Sequence, residues 1–426
     1  MRFRDNANGG PFADSEGTRF LRGRLRGVRS QEKNGMLTSM AMGGGVRWRG
    51  WTRPGFLTLM TVVVAVCGDP TIAQQDRYST SLKRDGIEQK DLFISGQDGY
   101  TAYRIPAMVV TKKGTILVFS EARKNSFSDQ GDIDLIIRRS FDGGATWDKF
   151  RVLVDDGENT AGNPCPVVDQ QTGTIWLPFC RNNKQVFIMS SDDDGETWTK
   201  PKEITKDVSR PEWTWYATGP GRGTQMSCGR LVIPCDHKLN NATKLQTEFY
   251  FSHVFYSDDH GKTWKLGGTL GPHTNECVAL ETEDRALYLN MRSYHGKNRR
   301  AVARSMDKGM TWSEVTLDEA LIEPKCQASL LRLTSSKSGK SRVLFSNPAS
   351  DTRTNMTVKL SYDECRTWPV SRVLNEGKSV YSALAVAPDN TILCLYENGE
   401  KNQYEKMTLA RFTLEWLTEG KDSLTK

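Results

Sequence analysis

SFDGGATW occupies residues 140–147 and returns four times. The later copies are SDDDGETW at 191–198, SDDHGKTW at 257–264, SMDKGMTW at 305–312 and SYDECRTW at 361–368, the last with Cys365 in the glycine position. The shared pattern is Ser-x-Asp-x-Gly-x-Thr-Trp. Its chemistry suits a turn: Asp, Ser and Thr bond neighbouring backbone groups, and Gly supplies a positive φ. The Trp then packs into the core beside the turn. A catalytic centre is built once, whereas this octapeptide recurs five times, so it reads as scaffolding. Calcium loops are the alternative for the acidic second copy, but the other copies carry too few carboxylates.

The copies start 51, 66, 48 and 56 residues apart. That period predicts an all-β propeller with about four strands per unit. The flanks agree. DLIIRRS, QVFIMS, EFYFSHVFYS, RRAVARS and NMTVKLS each form a β-rich run ending at the box serine. Five boxes span 140–368, and the segment 378–416 supplies strands for a sixth unit without a box. DLFISG at 91–96 is expected to complete that last blade and close the ring. The expectation is therefore a six-bladed β-propeller over 76–426, with no linker dividing 85–418.

Residues 1–75 hold eleven Arg/Lys and five Asp/Glu, so six of the seven net positive charges lie there. The remainder is nearly neutral, which excludes a general nucleic-acid or membrane-surface role. RWRGWTRP at 47–54 followed by the apolar GFLTLMTVVVAVC at 55–67 reads as a secretory signal, too short to span a bilayer. Cleavage is expected near Thr71-Ile72-Ala73. Residues 1–75 are thus an extension plus signal, and the mature chain is expected to be exported without stable membrane insertion. Eight cysteines follow Cys67. Export would let them pair, but buried free thiols fit as well, and no CxxC pair or His cluster suggests zinc.

Seven segments carry candidate chemistry. YRIPAMVV (103–110) places Arg104 before an apolar strand, and FSEARKNSFSDQGD (119–132) offers Arg123, Asp129 and Asp132. TNECVALE (274–281) holds Glu276 just before a strand, and LYLNMRSYHG (287–296) ends one at Arg292. Arg353 lies in the loop of LFSNPASDTRTNM (343–356). SVYSALAV (379–386) begins a strand with Tyr381, and LYENG (395–399) closes one with Glu397. Each alone reads as a solvated strand end or loop.

Taken together and in order, with Arg-Ile-Pro at 104–106, Asn-Pro-Cys-Pro at 163–166 and the boxes, the set resembles the exo-α-sialidases (neuraminidases) of the non-viral Asp-box type. The likeness runs from about residue 90 to 416. It implies hydrolysis of terminal α-linked sialic acids on glycans, glycoproteins or glycolipids, with no cofactor and no metal. It assigns the substrate carboxylate to Arg104, Arg292 and Arg353, since an Arg fork matches a carboxylate and stays charged. Glu397 would hold Arg104, and Arg123 would face the sugar 4-hydroxyl. Asn163 is carried over to the N-acetyl pocket. Tyr381 would be the nucleophile, a neutral group suited to a carbon that bears a carboxylate, with Glu276 as its base. Asp129 would be the general acid, with Asp132 as the competitor. The stretches 214–225 and 233–238 are expected to supply the rim. Some relatives place a Tyr near the second stretch, where this chain has Asp236 and His237 and so departs from the family in its aglycone contacts. Transfer instead of hydrolysis, a related nonulosonic acid, and a non-catalytic glycan-binding propeller are the alternatives.

Overall fold

The computed structural model describes residues 81–424, so the extension and signal assigned to 1–75 lie outside the described residues. Each octapeptide forms the turn after the third strand of a blade. In the first copy Ser140 Oγ donates to Asp142 Oδ1 at 2.9 Å and accepts from the Gly144 amide at 2.8 Å. Asp142 in turn accepts from the Thr146 amide at 2.8 Å and hydroxyl at 2.6 Å. The same bonds recur around Asp193, Asp259, Asp307 and Asp363. The Thr197 hydroxyl and amide hold the Asp193 carboxyl down at about 2. The box carboxylates are therefore committed to their own turns, as scaffolding requires.

Two successive residues of each box take positive φ, for example 64° and 92° at Lys308 and Gly309. Cys365 adopts the same conformation at 64°, and its amide reaches Ser361 Oγ at 3.0 Å, so the fifth box keeps its geometry despite its sequence. At Gly261 the demand is steric as well. An added Cβ would lie 2.1 Å from the Trp176 ring of the preceding blade. Gly261→Ala is expected to destabilise the fold by about 3 kcal/mol, from overpacking plus strain. Gly99, at nearly the same φ (86° against 84°), has nothing within 4 Å of its added Cβ. Gly99→Ala should therefore cost only about 1 kcal/mol. Urea midpoints compare the two, and equal losses would remove the Trp176 contact as the cause.

Six units of four main strands form the ring. Blade 1 comprises Ala102–Val110, Ile116–Arg123, Ile133–Ser140 and Arg151–Val154. Blade 2 has an interrupted inner strand, Ala161–Gly162 and Val167–Val168, paired to Ile175–Arg181. Blade 3 contains Trp213–Thr218, Leu231–Leu239 and Tyr250–Ser257, and blade 4 contains Thr274–Glu281, Leu287–Ser293 and Arg299–Ser305. Blades 5 and 6 share one strand, Val370–Val386. Its first half pairs with Thr354–Ser361 and its second half with Ile392–Gly399. Tyr381 therefore does not begin a strand, as expected from sequence, but sits where this long strand passes from one blade to the next. The strand Ile87–Ile94 pairs with Lys406–Phe412 as the fourth strand of blade 6, and Ser81–Arg84 adds a short strand on its outer edge. The inner strand of blade 6 packs on that of blade 1 and closes the circle.

Apolar side chains fill the joints between blades. Leu117, Phe119, Leu135 and Ile137 of blade 1 meet Ile175, Leu177 and Phe179 of blade 2. Each such side chain contributes about 1.5–3 kcal/mol when fully buried. The eight cysteines among the described residues are free, and seven of them are buried.

Strand direction decides where chemistry can gather. The starts of first strands, the ends of second strands and the loops that follow them share one face. The boxes, at the ends of third strands, lie on the other. On the first face three inner strands break their ladders. The register shifts between Arg104 and Ala107, between Thr274 and Cys277, and between Ser379 and Ser382. Such bulges re-aim side chains out of the pleat. Arg104, Glu276 and Tyr381 sit in these breaks, inside strands rather than before them.

Candidate active site

A cavity of about 360 Å³ opens on that face, and all nine assigned residues line it except Glu397. Glu397 lies directly behind, fully buried, and accepts from Arg104 Nε at 3.1 Å and Nη2 at 3.2 Å. It also accepts from the Ile105 and Tyr381 amides at 2.8 and 3.3 Å. One carboxylate thus fixes an arginine and the backbone of two strands across the blade 6–blade 1 joint.

Arg104, Arg292 and Arg353 converge from blades 1, 4 and 5. Arg353 Nη1 donates to Tyr404 Oη at 3.2 Å and Nη2 to the Lys325 carbonyl at 3.2 Å. The Tyr404 ring also lies 4.0 Å from the Arg104 guanidinium carbon. Arg292 Nη1 donates to Glu276 Oε2 at 2.8 Å and to Tyr381 Oη at 3.2 Å. Tyr381 Oη donates to Glu276 Oε1. Burial, then the Glu276 charge, pushes the phenol well above its ordinary range, while Arg292 and Arg353 pull the other way. The phenol is therefore neutral in the free protein and has a carboxylate in place to take its proton.

Asp129 reaches into the mouth from the loop after the second strand of blade 1, with its side chain 62% exposed. It accepts from Arg123 Nη1 at 2.9 Å and from Arg104 Nη1 at 3.3 Å. Burial opposes its ionisation, but Arg123 and then Arg104 outweigh this and hold the carboxyl below its ordinary value. Asp132 is not in the cavity. It pairs with Lys124 at 2.9 Å, and the same ammonium reaches Asp134 at 3.2 Å and Asp155 at 3.5 Å. Those three carboxylates are the one close acidic trio among the described residues, and Lys124 occupies the centre where a cation would sit.

Asn163 lines the cavity with φ 56°, its amide donating to Glu121 Oε1 at 2.9 Å. Glu121 was not singled out from the sequence. Its other oxygen accepts from Arg123 Nε and Nη2 at 3.0 and 2.6 Å. The signal was the i, i+2 spacing, which puts Glu121 and Arg123 on one face of their strand. Tyr404 was also missed, and a tyrosine at a hairpin tip carries no local signature. The two rim stretches supply Trp215, Ala217, Asp236 and Lys238. Asp236 accepts from Asn275 Nδ2 at 2.6 Å. His237, next in the strand, points away from the cavity and stacks on Trp213 with centroids 3.6 Å apart.

The arrangement can bind a carboxylate, deprotonate a phenol beside it and offer a carboxyl group at the mouth. Comparison with known proteins points the same way. The BNR repeat-like domain family matches residues 114–394. A sialidase of Bacteroides fragilis is 33% identical over 82% of this chain and 70% of its own length. A sialidase of Micromonospora viridifaciens is 34% identical over 77% of this chain. The match spans about half of that relative, 54% of its length. Among solved structures, the Hadza microbial sialidase Hz136 superposes with a TM-score of 0.69 at 33% identity, covering 76% of this chain and 68% of that one.

Proposed function

Because the chain belongs to the sialidase family, we propose that it is an exo-α-sialidase that hydrolyses terminal α-linked sialic acids with retention of configuration. The observation that carries this is the Tyr381–Glu276 contact set inside a pocket of three arginines. The substrate carboxylate takes Arg104, Arg292 and Arg353, which sets the anomeric carbon over Tyr381. Tyr381 Oη bonds to that carbon as its proton passes to Glu276. The bond to the aglycone oxygen breaks as Asp129 protonates it. Water then attacks the same carbon, Asp129 takes its proton, and Tyr381 leaves with the proton held by Glu276. Two displacements give net retention. The apolar run at 55–67 makes export part of the proposal.

The test uses 2,3-difluorosialic acid, whose C3 fluorine slows breakdown of the covalent species. Mass spectrometry should find one sialosyl adduct on the peptide containing Tyr381, and Tyr381→Phe should lack it. A protein that cleaves a fluorogenic sialoside yet forms no adduct, and gives the inverted product first, would overturn the tyrosyl route. Sialyl-lactose formed from the sialoside and added lactose would mark transfer rather than hydrolysis alone.

A further inference from the structure

Arg300 and Glu323 form an ion pair at 3.0 Å in which both side chains are 0% exposed. They lie below the pocket and line none of it. Burying two charges is costly unless their remaining bonds are all made, and here they are made to particular backbone groups. Glu323 Oε1 accepts from the Ser293 amide at 2.7 Å, and Oε2 accepts from the Cys326 amide at 3.1 Å. Arg300 Nη1 donates to the Cys326 carbonyl at 2.6 Å, and Nε to Asn290 Oδ1 at 2.6 Å.

Those backbone groups are next to the residues that matter. Ser293 follows Arg292. Cys326 follows Lys325, whose carbonyl accepts from Arg353 at 3.2 Å. Arg292 Nη1 is tied to Glu276 and Tyr381, but its Nε is buried without a partner, so the aim of its guanidinium depends also on how firmly its root is held. The same device occurs twice more around the pocket. Glu397 holds Arg104 and two amides, and Glu121 holds Arg123 and the Asn163 amide. In both of those cases the arginine touches the cavity, whereas Arg300 does not.

We infer that Arg300 and Glu323 are positioning residues for substrate binding: they lock the end of the Leu287–Ser293 strand to the 323–327 loop, and so aim Arg292 and Arg353 together at one carboxylate. The inference rests on the sialidase reading, since it assigns the pair to the grip on the substrate carboxylate. A merely structural pair would support stability alone. A positioning pair governs affinity as well, because the bidentate grip of an arginine on a carboxylate depends on geometry.

The comparison sets Glu323→Gln and Arg300→Lys against Arg342→Met, which breaks the partly buried Arg342–Asp422 pair (2.6 Å), whose residues do not line the pocket. Each folded variant is assayed for kcat and KM on a fluorogenic sialoside and for the Ki of free sialic acid. Glu323→Gln is expected to raise KM and Ki about 10- to 100-fold while kcat falls far less, the pattern of lost ground-state binding. Arg342→Met should lose stability with KM within about twofold of wild type. If Glu323→Gln does not fold, Arg300→Lys carries the same expectation, because it keeps the charge and loses the fork to Cys326 and Asn290. A folded Glu323→Gln or Arg300→Lys with unchanged KM and Ki overturns the inference, as does an equal rise in Arg342→Met. If wild type cleaves no sialoside, the functional reading fails by itself. Calorimetry with free sialic acid then makes the same comparison of binding.

Discussion

Tyr381→Phe is expected to lower kcat on a sialoside by at least about 10³-fold with KM unchanged or reduced. The ring stays where it is, packed with Ile105, Cys326 and Val380 and lying 5.2 Å from the Arg104 guanidinium carbon. Only the hydroxyl is lost, and with it the atom that Glu276 and Arg292 address. The three arginines stay charged and Arg292 keeps its bond to Glu276, so the main effect falls on the chemical step. Steady-state kinetics on a fluorogenic sialoside, with circular dichroism to show an intact fold, decide the matter. Activity within about tenfold of wild type would mean that another group, or water, attacks the anomeric carbon.

Asp129→Ala should separate substrates by leaving group. An alkyl sialoside needs a proton on its departing oxygen, and its rate should fall on the order of 10²- to 10⁴-fold. An aryl sialoside with an acidic phenol leaves unaided and should lose far less. The pH profile gives a second reading. In the free protein Arg123 and Arg104 hold Asp129 ionised. A bound substrate carboxylate takes up Arg104 and adds negative charge nearby, which raises the proton affinity of Asp129. An acid must be protonated to act, so activity falls as pH rises through its pKa. That fall should come at lower pH in kcat/KM, which reports the free enzyme, than in kcat, which reports the complex. Coincident limbs, or a limb that persists in Asp129→Ala, would remove Asp129 from this role.

Much of this site was legible only through the resemblance to the exo-α-sialidases, because each segment alone reads as a solvated strand end or loop and only the set in order is distinctive. Arg104 stands before Ile105-Pro106, Arg123 ends a strand, and Glu397 closes another. What stayed hidden were side chains whose meaning lies entirely in a distant partner. Glu323 is a glutamate after a strand until Ser293 and Cys326 come to it. Tyr404 is one more hairpin residue until Arg104 and Arg353 close on it. For Asp129 and Asp132, three residues apart in one loop, the spacing after Arg123 already favoured Asp129, and the structure adds the neighbours: Asp129 meets two arginines of the pocket and Asp132 meets Lys124.

By itself the sequence determined the local physics. Five octapeptides specify five turns, and the β-rich runs before them specify the blades, because turn chemistry and strand alternation act over a few residues. Only the tertiary structure decided which charges meet and in what state. Ring closure brings Arg104 to Glu397 across 293 residues and Tyr381 to Glu276 across 105. Burial at that junction then keeps the Tyr381 phenol neutral, while two guanidiniums keep the Asp129 carboxyl charged. Protonation follows from dielectric surroundings and neighbouring charge, and neither exists until the blades have closed.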